Sequence, residues 1–195
     1  METMRVGEAS DVDVIRRSLD DPAEFGVLFD RYGSRVEAYL SSLGTDSADA
    51  LTVEAFSVAF RRRHEYVGTS STAAPWLFAI ARNVSRNHGR SERRRRARER
   101  LMVVADAEDL ADGAAGRVDA ASLGPTLRRL LSELPADQRE VLLLCALGGM
   151  TYSEIASTIG APVGTVRSRL HRARATFRAG LINDGYTVDP IKDVP

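Results

Sequence analysis

The stretch Thr151-Tyr-Ser-Glu-Ile-Ala-Ser-Thr-Ile-Gly-Ala-Pro-Val-Gly-Thr-Val-Arg-Ser-Arg-Leu-His-Arg-Ala-Arg174 decides the reading of this chain. Thr151 and Glu154 stand at capping-box spacing, so a helix starts there with two of its orphan amides satisfied by side chains. Ile155, Ala156 and Ile159 fall on one face of two turns, and Gly160 follows where a left-handed residue ends a helix most easily. Ala161-Pro-Val-Gly164 reads as a tight turn, and Thr165 starts or nearly starts the next helix. That helix turns Val166, Leu170, Ala173 and Phe177 inward. Its other face carries Arg167, Ser168, Arg169, Arg172 and Arg174. Two helices joined by three or four residues, with a small Ala156 at the crossing, form a helix-turn-helix. Arg can pair with guanine edges through two bonds and short hydroxyls reach bases or phosphates, which are the demands on a major-groove reader. A helical hairpin with a solvated basic face is the plainer alternative.

Helical periodicity continues outward in both directions. Upstream, Leu127, Leu130, Leu131 and Leu134 form a stripe that Pro135 breaks. Val141, Leu142, Leu144 and Cys145 follow, closed by Gly148-Gly149. In the first half, Phe25, Leu28, Phe29, Tyr32, Val36, Tyr39, Leu40 and Leu43 repeat at three and four residues and read as one long helix stopped at Gly44. A short segment, Val12–Leu19, precedes it. Leu51, Ala55, Phe56, Ala59 and Phe60 give another stripe. Gly68-Thr-Ser-Ser-Thr72 has a loop's composition, and Pro75 suits a first helical turn. From there a helix runs through Trp76, Leu77, Ile80, Ala81 and Val84, and continues to Arg100 with almost no apolar face. Residues 102–124, rich in Ala, Asp and Gly, read as a flexible linker, and residues after Asn183 as a loosely ordered tail.

The chain has 195 residues, 44% apolar, 28% charged and 6% aromatic, and no net charge. This suits one large or two small all-α domains. Charge is segregated: residues 61–100 carry a net of +9, 101–125 a net of −4 and 126–182 a net of +4. Each basic block is a candidate polyanion surface or a solvated helix face. A single cysteine, Cys145, excludes an intrachain disulfide and a multi-thiolate metal site. No apolar run approaches the ~20 residues of a membrane span. Met1–Ser10 has no basic-then-apolar leader, so a cytoplasmic protein without membrane insertion is expected.

Trp76-Leu-Phe-Ala-Ile-Ala-Arg-Asn-Val-Ser-Arg-Asn87 joins aromatics to Arg82, Asn83, Arg86 and Asn87, behind the small polar loop Thr69–Ala74. Such a set suits single-stranded bases, which stack and expose their edges. Trp76 reads as a core residue ahead of a stacking platform. Arg93–Arg96 would attract phosphates of any sequence.

On these residues the chain resembles the extracytoplasmic-function sigma factors of bacterial RNA polymerase. The segments that carry the resemblance are Pro75-Trp-Leu-Phe-Ala-Ile-Ala-Arg-Asn83, Leu134-Pro-Ala-Asp-Gln-Arg-Glu-Val-Leu142 and Thr151–Arg174. It implies two helical domains: a region 2 domain at 10–100, and a region 4 helix-turn-helix domain at 125–182. A linker at 101–124 joins them, and a tail follows at 183–195. The first domain would grip the polymerase clamp and melt the minus-ten element, capturing a flipped base. The second would dock on the flap and read the minus-thirty-five element as duplex. The acidic linker would occupy a channel built for RNA.

Carried over by position, the minus-ten contacts are Thr69, Ser70, Ser71, Thr72, Trp76, Arg82, Asn83, Arg86 and Asn87. The minus-thirty-five contacts are Arg139, Thr165, Arg167, Ser168, Arg169 and Arg172. Leu51, Glu54 and Phe56 would lie in the polymerase-binding helix. The implied partners are the beta and beta-prime subunits of core polymerase, promoter DNA and an anti-sigma factor, with no cofactor. Ala50 and Val53 stand where this group usually carries Asp and Gln.

Two other readings compete. One is a free-standing helix-turn-helix regulator that never joins polymerase, but residues 21–100 lack the look of a ligand or dimer domain. The other is an enzyme acting on nucleic acid. Against it, the sequence holds no paired carboxylates beside a metal motif, no phosphate-cradling glycine loop and no nucleophile–base spacing. His64, His88 and His171 are scattered in basic contexts and read as surface or phosphate-contacting residues.

Overall fold

A computed structural model describes residues 9–45, 47–68, 70, 72–102 and 123–187. Among the described residues there are eight α-helices and no strand. They are α1 (Asp11–Arg17), α2 (Gly26–Ser42), α3 (Ala48–Arg61), α4 (Ala74–Met102), α5 (Leu123–Glu133), α6 (Ala136–Ala146), α7 (Tyr152–Ile159) and α8 (Val163–Asn183). The all-α expectation holds. The interior of the expected linker and the end of the tail, 103–122 and 188–195, lie outside the described residues. The linker's margins belong to helices: Leu101 and Met102 end α4, and Leu123 and Gly124 begin α5.

Local chemistry sets most boundaries. Ser10 caps α1 by accepting the Asp13 amide, with acids in the first turn and Arg16 and Arg17 in the last, both favourable to the helix dipole. The long stripe expected from Phe25 to Leu43 starts one residue later as helix. Asp21 accepts the Ala23 amide and Pro22 presets its own φ, so Pro22–Phe25 winds into a 3-10 turn before α2. Phe29, expected inside that stripe, is 46% exposed. The turn expected at Ala161–Gly164 is shorter, because Pro162 caps α8 and Val163 and Gly164 form its first turn. The Thr165 and Val166 amides both bond back to the Pro162 carbonyl.

α2, α3 and α4 pack around Val36, Tyr39, Leu40, Leu51, Phe56, Ala59, Phe78 and Ala81, all buried. Tyr39 and Phe78 meet edge to face at 5.4 Å. In the second half α8 packs on α5, α6 and α7 over Val141, Leu144, Ile155, Val166 and Leu170. The two halves touch, and their buried residues form one continuous apolar cluster. Burying two small cores together removes more apolar surface from water than either alone, which matters for units this short.

Candidate nucleic-acid interface

The helix-turn-helix is built as its residues dictate. The Thr151 hydroxyl accepts the Glu154 amide at 3.3 Å, and the Glu154 carboxylate accepts the Thr151 amide at 2.8 Å, closing the capping box. Gly160 ends α7 at φ 69°, a left-handed conformation that costs a side-chain-bearing residue. Ile155, Ala156, Val166, Leu170 and Ala173 are buried between the helices, and Phe177 is half-buried.

With about 100° per residue, the solvent face of α8 centres on Ser168 and Arg172. Thr165 and Arg169 stand on one flank and Arg167 on the other. The five expected duplex contacts therefore do not share one stripe. Arg169 is held by Asp137 of α6 at 3.0 Å. Arg172 lies back along its own helix and donates to the Ser168 carbonyl at 3.2 Å. Arg174 does not belong to the outer face: it is half-buried and donates to the Tyr152 hydroxyl at 3.3 Å. Arg139 is half-buried and reaches the Leu134 carbonyl at 3.4 Å.

The minus-ten candidates divide in the same way. Asn83, Arg86 and Asn87 are exposed along one side of α4. Trp76 is half-buried, its ring 5.1 Å from that of Tyr66, so it packs as part of the domain. Thr72 is exposed, and its carbonyl accepts the Tyr66 hydroxyl at 3.4 Å. Thr69 and Ser71 lie outside the described residues. Arg82 turns away from Asn83 and is only 9% exposed. Its Nε donates to Glu140 of α6 at 2.8 Å and its Nη1 to the Thr158 carbonyl of α7 at 3.3 Å. Ser70 donates to Glu154, the same carboxylate that closes the capping box. Arg35 of α2 donates to the Leu147 carbonyl at 2.7 Å. Of the first half's strand-facing candidates, Arg82 and Ser70 thus meet the second half, while Asn83, Arg86 and Asn87 face solvent.

Arg35, Glu140 and the second role of Glu154 escape sequence reading, because a pair separated by 58 to 112 residues leaves no local pattern. Tyr39 sits at the same seam: burial, and then the Glu140 carboxylate, push its phenol up.

Of the polymerase candidates, Leu51 and Phe56 are buried in the bundle and Glu54 is exposed. The exposed apolar side chains beside them are Val53, 60% exposed, and Phe29, whose ring stands edge-on to Phe56 at 4.9 Å. With Pro22, Phe25 and Phe60 they line a shallow apolar groove between α2 and α3. On the far side, Arg86, His88 and Arg93 of α4 face Thr45 and Ser47 across a polar hollow. Among the described residues no group of His, Cys, Asp and Glu could hold a metal ion. None of their helices is long and apolar enough to cross a membrane.

A helix-turn-helix joined to a basic, amide-bearing helix defines a DNA-binding protein. Comparison with known proteins is more specific. Residues 126–177 match the family model for Sigma-70, region 4. The chain is 40% identical over 156 residues to the ECF RNA polymerase sigma factor SigC of Mycobacterium tuberculosis, covering 78% of this chain and 79% of that protein. It is 35% identical over 164 residues to the ECF RNA polymerase sigma-E factor of Escherichia coli, covering 79% and 84%. Among solved structures it is similar to the sigma factor RpoE in complex with the anti-sigma factor NepR from Bartonella quintana. That likeness has a TM-score of 0.63 and 26% identity, over 83% of this chain and 98% of that one. The chain belongs to the extracytoplasmic-function sigma factors: it binds core RNA polymerase and promoter DNA and directs promoter-specific initiation.

Proposed function

We propose that the two halves divide promoter recognition between them. Residues 10–100 form a region 2 domain that opens the minus-ten element, and 125–182 a region 4 domain that reads the minus-thirty-five element as duplex. The observation that carries this is the exposed row Asn83, Arg86 and Asn87 on α4, paired with the outward Ser168 and Arg172 of α8. Asn83 reads an unpaired base edge, Arg86 and Asn87 hold the melted strand, and residues 69–74 hold the flipped base. Thr165, Ser168, Arg169 and Arg172 face the upstream groove, with Arg167 and Arg139 at phosphates. Glu54, Val53 and Phe29 present the polymerase-binding surface, while Leu51 and Phe56 support it from within. The factor itself catalyses no reaction and works in the cytoplasm at the nucleoid. An anti-sigma factor binds it, as RpoE is bound in complex with NepR in the Bartonella structure.

Arg82, Ser70 and Glu154 are engaged across the seam, so promoter contact through them requires the halves to separate and exchange these bonds for DNA. Transcription in vitro with purified core polymerase over a genomic library tests the whole reading. Initiation at a defined set of sites sharing two elements is the expected result. Co-purification without core polymerase, and no factor-dependent start, would return the chain to the free-standing regulators.

A further inference from the structure

The N-terminal helix carries a buried carboxylate that none of the foregoing roles uses. Asp11 opens α1 and is 5% exposed. Its Oδ1 accepts from Arg31 Nη1 at 2.7 Å. Its Oδ2 accepts from the Tyr32 hydroxyl and from the backbone N–H of Ala73 at 2.7 Å. Ala73 is the residue immediately before α4, and its carbonyl takes the first helical bond, from Leu77, at 2.9 Å. Alanine has no side chain with which to cap. A negative group from a separate element therefore meets the positive end of the helix that bears Asn83.

The neighbouring contacts lead to the same segment. A Cβ built on Gly68 would come within 3.2 Å of Val12, so α1 also floors the start of the loop. The Tyr66 hydroxyl reaches the Thr72 carbonyl at its end. Burial pushes the Asp11 carboxyl up, but the bonds from Tyr32, Ala73 and Arg31 outweigh it and hold the group below its ordinary value. It is charged at neutral pH.

We propose that Asp11 is a positioning residue for promoter melting: by gripping the Ala73 amide against α1 and α2, it sets where Ser70 and Thr72 meet a flipped base. It touches no DNA. The inference rests on the reading of those residues as the base-capturing element. Loss of the carboxylate frees the Ala73 amide at the start of α4 and shifts the capture geometry.

The test uses holoenzyme made from core polymerase and the full chain. The probe is a single-stranded non-template oligonucleotide spanning the minus-ten element of a promoter recovered from the library. An abasic nucleotide is scanned through it. Wild-type holoenzyme should prefer the intact oligonucleotide over the abasic one by at least about tenfold at one position. Asp11→Ala should bring that ratio below about threefold, with core affinity and upstream-duplex affinity unchanged. Asp11→Asn, whose amide oxygen still accepts the Ala73 N–H, should retain most of it. Because the ratio is internal to each preparation, a reduced folded fraction cancels out. If Asp11→Ala is unfolded at the assay temperature, Tyr32→Phe takes its place: it removes one of the two donors holding Oδ2 and should lower the ratio measurably. A wild-type ratio in Asp11→Ala, or in Tyr32→Phe when it is the variant used, overturns the proposal. A wild-type holoenzyme that discriminates at no position overturns the loop reading too, and so is told apart from failure of Asp11 alone.

Discussion

Replacing Glu140 with Ala should free the factor for single-stranded DNA. In the structure the Arg82 side chain is 10% exposed and that of Glu140 is 20% exposed, with Nε and Oε1 at 2.8 Å. Removing one partner of a buried pair costs ~3–5 kcal/mol, because the other charge stays desolvated. Water reaches part of Glu140, and Arg82 keeps the Thr158 carbonyl at 3.3 Å, so ~2–3 kcal/mol is the better figure here. The loss falls on the packed arrangement alone, since a separated Arg82 is solvated in either protein. At 1.4 kcal/mol per decade the packed population should fall roughly 30- to 150-fold relative to the open one. A ligand that needs the open state binds with an apparent affinity reduced by the open fraction, so the variant should bind more tightly. Fluorescence anisotropy of a labelled minus-ten non-template strand on the free factor measures this. Small-angle X-ray scattering should show a larger radius of gyration. Arg82→Ala should expand the chain equally without the gain in affinity. If Glu140→Ala changes neither size nor affinity, the seam does not compete with DNA and the reasoning is refuted.

Four further outcomes are expected. Arg172→Ala should weaken the upstream duplex by ~1–3 kcal/mol if the lost contact is bidentate, read as reduced run-off transcription from a cognate promoter. Asn83→Ala should impair opening more than duplex binding, so permanganate reactivity at the minus-ten element should fall while the upstream footprint persists. Thr151→Ala removes the cap of α7 and should cost ~1 kcal/mol of stability, seen as a lower urea midpoint. At Asp11 and Glu154 burial raises the carboxyl pKa, but hydrogen bonds from Tyr32, Ala73 and Arg31, and from Ser70 and Thr151, bring it below the ordinary value. Their folded pKa values lie below the unfolded ones, so the stability they give is present above about pH 4 and is lost as pH falls through the folded values. The urea midpoint should drop on acidification below pH 4, and less steeply in Asp11→Asn than in wild type.

Helices, caps and the helix-turn-helix were legible in the residues because their causes are short-range. A capping box spans four positions, an amphipathic face repeats every three or four, and Gly160 needs only its own φ. Even the charge blocks fall out of simple order along the chain. Which side of a helix meets water is a different matter. The resemblance places Leu51 and Phe56 in the polymerase-binding helix, and the bundle buries both, as their apolar stripe implies, while Val53 and Phe29 stay outside. Arg82 and Asn83 are neighbours in the chain and point to different fates, one into the seam and one into solvent.

Periodicity, caps and the order of charges determined that this protein is helical, that residues 151–174 form a helix-turn-helix and that a basic helix precedes it. Tertiary structure decided that Asp11 supports α4, that Glu140 claims Arg82 and that Glu154 serves both its own cap and Ser70. The physical reason is separation: these partners lie 58 to 84 residues apart, and only closure of the packed chain brings a charge at one position within reach of a donor at the other.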